Sequence, residues 1–321
     1  MMPNLTRRDA LKGAIVAAGL GQASGPAPAA SQKRYDMKKS INLWAFPYPE
    51  KRSLVDCLKL AKNAGFDGIE LNYDLESDLS PSAGTREFEA VRRHAENIGI
   101  AISGLCSFLY WPYSLTDNDP AKRARGLELA QKMIAAAHDL GTDNLLTIAG
   151  SVHIPWLKDS QPVALADCEK RSKEAIGKLL PIAEKANVHL NIENIFFNGY
   201  LLSPSDMIAY VDGFHSDHLK VHFDTGNIML FQHPEDWVRA LGKRIKNVHL
   251  KEFSKKGTDF SLESFRTLLD GTTNWPAVLD SFAEVGYKGY LTFEYFHPFQ
   301  FHPEALIEYT SDALDRLLGR K

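Results

Sequence analysis

Ile41-Asn42-Leu43-Trp44-Ala45-Phe46-Pro47-Tyr48-Pro49 decides the architecture of the chain. The apolar run Ile41–Phe46 predicts a first strand, and the prolines behind it stop that strand. An open, doubly wound sheet would place a glycine-rich, phosphate-cradling turn at this point. Here Pro47-Tyr48-Pro49 stands instead. Working outward, seven more short runs predict strands: Gly68–Leu71, Ile100–Leu105, Asn144–Ala149, Val188–Glu193, Leu219–Asp224, Ile245–Leu250 and Tyr290–Glu294. Amphipathic stretches lie between them, such as Ser53–Ala64, Glu87–Ile98, Ala121–Leu140, Asp167–Ala186 and Trp275–Val285, and Pro303–Leu318 predicts a closing helix. Turns such as Ala64-Gly65-Phe66-Asp67-Gly68 lead from helix to next strand. Eight strand–helix alternations without a shift in composition predict an α/β fold, a single (β/α)8 TIM barrel over residues 38–321.

Of the 321 residues, 44% are hydrophobic and 24% charged, the balance of a globular chain with a large core. A formal charge of −3 gives no electrostatic grip on a polyanion, so no nucleic-acid partner is expected. No apolar run reaches the roughly 18 residues that a membrane span needs. Cys57, Cys106 and Cys168 lack CxxC spacing and are expected to be buried thiols. Residues 1–30 read as a leader: Thr6-Arg7-Arg8-Asp9-Ala10-Leu11-Lys12, a weakly apolar Gly13–Leu20, then Ala27-Pro28-Ala29-Ala30. This resembles a twin-arginine export signal, with Ala10 where a bulkier apolar residue is commoner. The resemblance implies a periplasmic location, with residues 31–37 as a linker. That route carries folded proteins, often with a metal already bound.

Barrel chemistry gathers where the strands end at the C-terminal face. The fifth to eighth strands end in Asn191-Ile192-Glu193-Asn194, His222-Phe223-Asp224-Thr225-Gly226-Asn227, Asn247-Val248-His249-Leu250-Lys251 and Thr292-Phe293-Glu294-Tyr295. Side chains alternate along a strand, so Glu193, Asp224, His249 and Glu294 turn into the mouth together. Three carboxylates that close repel unless one takes a proton or a cation joins them. Three oxygens and one nitrogen suit Mn²⁺, Mg²⁺ or Co²⁺, with Zn²⁺ as the alternative. Two positions earlier, Asn191, His222, Asn247 and Thr292 form a polar inward layer, expected to hydrogen-bond the ligands from below. Lys251 shares the side of His249 and is placed to neutralise a developing oxyanion.

The progression Glu193, Asp224-Thr225-Gly226-Asn227, His249-Leu250-Lys251 and Phe293-Glu294 resembles the xylose-isomerase-like TIM barrels. That superfamily of sugar isomerases and epimerases includes D-tagatose 3-epimerase and hydroxypyruvate isomerase. Gly65-Phe66-Asp67-Gly68-Ile69-Glu70 and Gly286-Tyr287-Lys288-Gly289-Tyr290 are similar to the family's approaches to strands two and eight. The resemblance implies one divalent ion on Glu193, Asp224, His249 and Glu294, with Glu193 and Glu294 doubling as the acid/base pair. It implies proton abstraction α to a carbonyl through an enediolate, the ion acting as electrophile. Epimerases of the family often carry a histidine three residues after the strand-six Asp, where this chain has Asn227.

Aromatic residues crowd the loops after the strands, among them Phe108, Trp111, Trp156, Phe196 and Phe296. Trp111, Asn227 and Lys251 are candidate substrate contacts, with Glu70 and His153 in second rank. A barrel phosphate site wants small residues and free N–H groups after strands seven and eight. This chain offers aromatic residues and only Lys251, Lys255 and Lys256, so an unphosphorylated (keto-)sugar is expected. The expected function is a divalent-metal-dependent sugar isomerase or epimerase. The alternative is a keto-sugar or 3-keto-glycoside lyase or dehydratase, which abstracts the same proton but expels a leaving group. A nuclease of this fold would need a basic groove, and a non-catalytic sugar binder has no use for four ligands. The expected partner is a small carbohydrate, and a homo-oligomer is left open.

Overall fold

A computed structural model describes residues 34–321 except 197, 258, 259 and 297. The export signal read over residues 1–30 lies outside the described residues. Eight parallel strands close the barrel: β1 (Lys38–Asn42), β2 (Gly68–Asn72), β3 (Ala101–Cys106), β4 (Asn144–Thr147), β5 (His189–Glu193), β6 (Leu219–Asp224), β7 (Ile245–Leu250) and β10 (Tyr290–Phe293). Their order around the ring is β1-β10-β7-β6-β5-β4-β3-β2. A short antiparallel pair, β8 (Glu252–Phe253) and β9 (Phe265–Arg266), follows β7. The described helices are α1 (Leu54–Asn63), α2 (Thr85–Ile98), α3 (Pro120–Asp139), α4 (Leu165–Ala186), α5 (Pro204–Asp212), α6 (Pro234–Leu241), α7 (Trp275–Glu284) and α8 (Pro303–Leu317). The expected (β/α)8 fold is the observed one.

Helix α1 shows how the sequence builds this shell. Leu54, Cys57, Leu58 and Ala61 recur at helical spacing and are all buried. The Ser53 hydroxyl accepts the Asp56 N–H and caps the helix start. All three cysteines are free and buried. No described helix is long and apolar enough to cross a membrane.

The differences from the predicted elements have local causes. The run Ile41–Phe46 is not one strand. Asn42 accepts the Trp44 N–H through its side chain at 2.8 Å and starts a 3-10 turn over Leu43–Ala45. The apolar continuation therefore leaves the sheet, and Trp44 faces the barrel mouth. Helices α5 and α6, each opened by a proline, are too short to announce themselves by periodicity. Within residues 31–37, Tyr35 donates its N–H to the Leu318 carbonyl and Met37 is buried, so packing starts ahead of residue 38.

Two details of the frame position the site. Between β2 and β3 the register shifts at Ile69/Glu70 and sets Glu70 opposite Gly104. A Cβ at 104 would lie 3.0 Å from Glu70 Oε1 and 3.1 Å from Asn247 Nδ2, so the bare glycine makes room for the acid. After β7, the buried Glu252 carboxylate accepts backbone N–H groups of Phe253, Leu269 and Thr273 and the Trp275 indole N–H. One carboxylate thus anchors the roots of the roof segment, which the β8–β9 pair also holds. At the barrel's other end, Lys39 runs under α8 to Asp315 (2.7 Å) and the Ser311 hydroxyl (2.8 Å). There too, Asp143 meets His189 (3.3 Å) and Lys246 (2.7 Å).

Candidate metal centre and active-site cavity

The Asp224-Thr225-Gly226-Asn227 turn is built to present one carboxylate oxygen. Asp224 Oδ1 accepts the N–H groups of Gly226 and Asn227, each at 2.8 Å, which leaves Oδ2 free for the centre. The Asn194 side chain grips the same residue from β5, accepting the Asp224 N–H and donating to its carbonyl. Thr225 ties the end of β6 to β7: its hydroxyl accepts the Lys251 N–H and donates to the Lys251 carbonyl. Gly226 is required by close approach, since a Cβ there would fall 2.5 Å from Lys251 Cβ.

Glu193, Asp224, His249 and Glu294 converge as predicted, with one donor atom from each lying within 4.8 Å of all the others. His249 Nδ1 stands 3.1 Å from Glu294 Oε2, 3.5 Å from Glu193 Oε1 and 4.0 Å from Asp224 Oδ2. Its other nitrogen, Nε2, meets Glu70 Oε2 at 2.5 Å. Lys251 reaches Asp224 Oδ2 at 2.9 Å and also contacts Glu294.

The residues fit a divalent ion. With Nε2–H donated to Glu70, the Nδ1 lone pair points at three carboxylates. A proton there answers one of them, whereas an ion answers all four donors. Burial pushes the Glu193 and Asp224 carboxyls up. Burial acts the same way on Glu294, but the His249 and Lys251 charges outweigh it and hold that carboxyl low. For His249, burial is overcome by Glu294 and Glu70, which keep the imidazole well above its ordinary range.

The polar layer beneath faces inward as expected, but it does not hydrogen-bond the ligands. Asn191 donates to Asn144 instead. His222 packs edge-on against His249 with ring centroids 4.1 Å apart. Asn247 and Thr292 have side-chain atoms with no partner. The ligands are steadied by Glu70, Asn194 and the turn's own N–H groups. Glu70 also corrects its expected place: it is wholly buried, bonded to Asn42 (2.7 Å) and His249, and stands behind the histidine instead of facing substrate. No local signal in the sequence names that partner.

Beside the centre lies a cavity of about 370 Å³. Glu193, Glu294, Lys251 and Asn227 form its polar end, and Trp111 lines its wall. Asn227 is fixed, donating to the Asn194 carbonyl at 3.0 Å and accepting from Lys251 at 3.4 Å. His153 is half-buried and outside the lining. The other aromatics singled out in the sequence, Phe108, Trp156, Phe196 and Phe296, line it too. The roof segment adds Leu262, Phe265 and Arg266, which sequence reasoning missed because that stretch has no helical or strand period.

The fold and site define a parallel (β/α)8 barrel in which three carboxylates and a histidine that could hold a metal ion converge at the C-terminal mouth. The family described as the xylose isomerase-like TIM barrel matches residues 58–317, and the chain belongs to it. Curated relatives include an L-ribulose 3-epimerase of Mesorhizobium japonicum, 28% identical over 240 residues and 73% of each chain. L-Ribulose-5-phosphate 3-epimerase UlaE of Escherichia coli is 24% identical over 252 residues, covering 78% of this chain and 84% of its own. A solved structure of an L-ribulose 3-epimerase superposes with a TM-score of 0.71 at 20% identity, over 88% of this chain and 96% of that one.

Proposed function

We propose that this chain is a divalent-metal-dependent sugar isomerase or epimerase that moves a proton α to a carbonyl. One observation carries the reading. The four converging side chains divide by access: Asp224 and His249 are fully buried, whereas Glu193 (8% exposed) and Glu294 (4%) line the cavity. The first two hold, and the second two also reach substrate. Sugar epimerases among the relatives support the class.

A divalent ion held by Glu193, Asp224, His249 and Glu294 would supply an electrophile for the carbonyl oxygen, and Mn²⁺, Mg²⁺ or Co²⁺ suits the donors. The protein's own groups do the rest. Glu193 on β5 and Glu294 after β10 flank β6 and β7, so they approach a bound carbon from two sides. One removes the proton and the other returns one on the opposite face. Lys251, on Asp224 and Glu294, is within reach of negative charge developing on the substrate oxygen. An unphosphorylated substrate is supported by the aromatic lining.

Replacing reprotonation by loss of a β-substituent gives the second reading, a keto-sugar or 3-keto-glycoside lyase. The aromatic extent of the cavity favours it. NMR in D₂O with the Mn²⁺-loaded protein and a panel of sugars, keto-sugars and keto-glycosides tests both. Deuterium at one carbon with the sugar intact supports the epimerase, and an eliminated product supports the lyase. No exchange with any of them would end the α-proton reading.

A further inference from the structure

We infer that the cavity takes a glycoside with an apolar, aromatic aglycone, the sugar lying at the carboxylate end and the aglycone along the aromatic wall. This rests on the α-proton reading above for the sugar end alone.

The cavity is chemically two-sided. Its inner end is ionic: Glu193, Glu294 and Lys251. The Lys251 ammonium is also the junction with the other side, lying 5.5 Å from the Phe265 ring centroid and 5.3 Å from that of Phe296. From Phe296 the wall continues to Trp44 (5.2 Å between centroids) and Phe108 (5.4 Å). Trp111 and Trp156 form an edge-to-face pair at 5.1 Å.

Exposed rings also occur away from the cavity, as Phe231 and Phe301 do, so exposure counts only where it faces the cavity. Phe108, Trp156 and Phe296 stay 41%, 44% and 38% exposed while lining the cavity. That apolar surface is left open to a ligand.

A second sugar ring would bring hydroxyls that need partners. Along the wall the polar groups are largely committed. The Ser107 hydroxyl donates to the Tyr73 carbonyl and accepts the Leu109 N–H. Glu252 already takes four donors. Asn198 Nδ2 is on Ser151, and only its buried Oδ1 lacks a partner. Glu263 and Arg266, on the roof segment, are the remaining charged groups. An apolar ring asks little of such a wall.

The test measures binding and deuterium exchange separately on the Mn²⁺-loaded full chain. The probes are a 3-keto-hexose, its phenyl glycoside and its glycoside with a second hexose. Binding is read by calorimetry, exchange by NMR. The phenyl glycoside should bind about tenfold tighter than the free keto-hexose. Phe108→Ala and Trp156→Ala should pull that ratio towards one, with unchanged thermal unfolding as the fold check. If the sugars exchange deuterium and the phenyl ring adds no affinity, or the disaccharide binds best, the aryl site is overturned and the catalytic reading stands. If the phenyl glycoside binds tightly and nothing exchanges, the aryl site stands and the catalytic reading falls. If none of the three binds, both fall.

Discussion

Among the described residues two lysines are buried, one at each end of the barrel. Lys39, near the start of β1, points out beneath α8 and has its three acceptors to hand: Asp315, the Ser311 hydroxyl and the Ser311 carbonyl. Asp315 in turn faces Lys321 at 3.5 Å and Arg320 at 4.0 Å near the surface. Asp312 and Asp67 supply Lys321 and Arg320 with carboxylates of their own, at 2.9 and 3.0 Å, so each cation there has an acid. Lys251 is also buried, among Asp224, Glu294 and Glu193, with His249 as the other basic group. That cluster keeps an excess of carboxylate that no neighbouring side chain cancels. Burial alone does not tell the two lysines apart. The balance of charge around them does.

The largest effect should come from the carboxylates that reach the cavity. Glu193→Gln or Glu294→Gln should lower deuterium incorporation by about 10²–10⁴-fold. Some metal should remain in elemental analysis, because the amide still offers an oxygen. Near-normal exchange in both variants would sink the two-glutamate relay and make Lys251 the base to examine. At the other end, Lys39→Met strips Asp315 of its buried partner. Breaking such a pair costs about 3–5 kcal/mol, and the access of Asp315 to Lys321 puts this case at the low end. Thermal unfolding should fall while metal content holds; loss of metal instead would mean the two ends are not independent.

Glu70→Gln sharpens the contrast within the mouth itself. It keeps the shape but removes the charge behind His249, and such outer partners are worth about 10–100-fold in metal affinity. A chelator titration reads that directly, and an unchanged affinity would reduce Glu70 to packing. The smallest effect belongs to Asp143, partly exposed at the N-terminal end. His189, then Lys246, hold its carboxyl well below the usual range. A lowered folded value means the stabilisation is complete above about pH 4, the unfolded value, and fades as pH falls towards the folded one. Asp143→Asn should therefore cost no more than about 1 kcal/mol at pH 7, given its exposure. The gap to the wild type should narrow in melts below pH 4. A gap that widens in acid would reverse the assignment.

What could be read from the sequence was what is local. The Asp224 turn holds its own carboxylate through N–H groups two and three residues on, so four letters carried its geometry. Strand parity likewise sufficed to send Glu193, His249 and Glu294 inward. Glu70 and His249 are 179 positions apart, and only closure of the barrel brings them together. Trp44 was hidden for another reason: hydrophobicity extends through Phe46, while one amide from Asn42 ends the strand. The roof segment, neither periodic nor repetitive, offered no pattern to extrapolate.

That roof has a consequence for redesign. Because Glu252 clamps the segment at its roots, through residues 253, 269 and 273 and the Trp275 indole, cavity-lining positions between them can be exchanged without touching those hydrogen bonds. Gly271 belongs to the clamp and must be kept, since a Cβ there would sit 2.1 Å from Glu252 Oε1. Leu262, Glu263 and Arg266 are the positions to diversify. Libraries confined to them would vary the cavity lining while the ends of β5, β6, β7 and β10 stay in register.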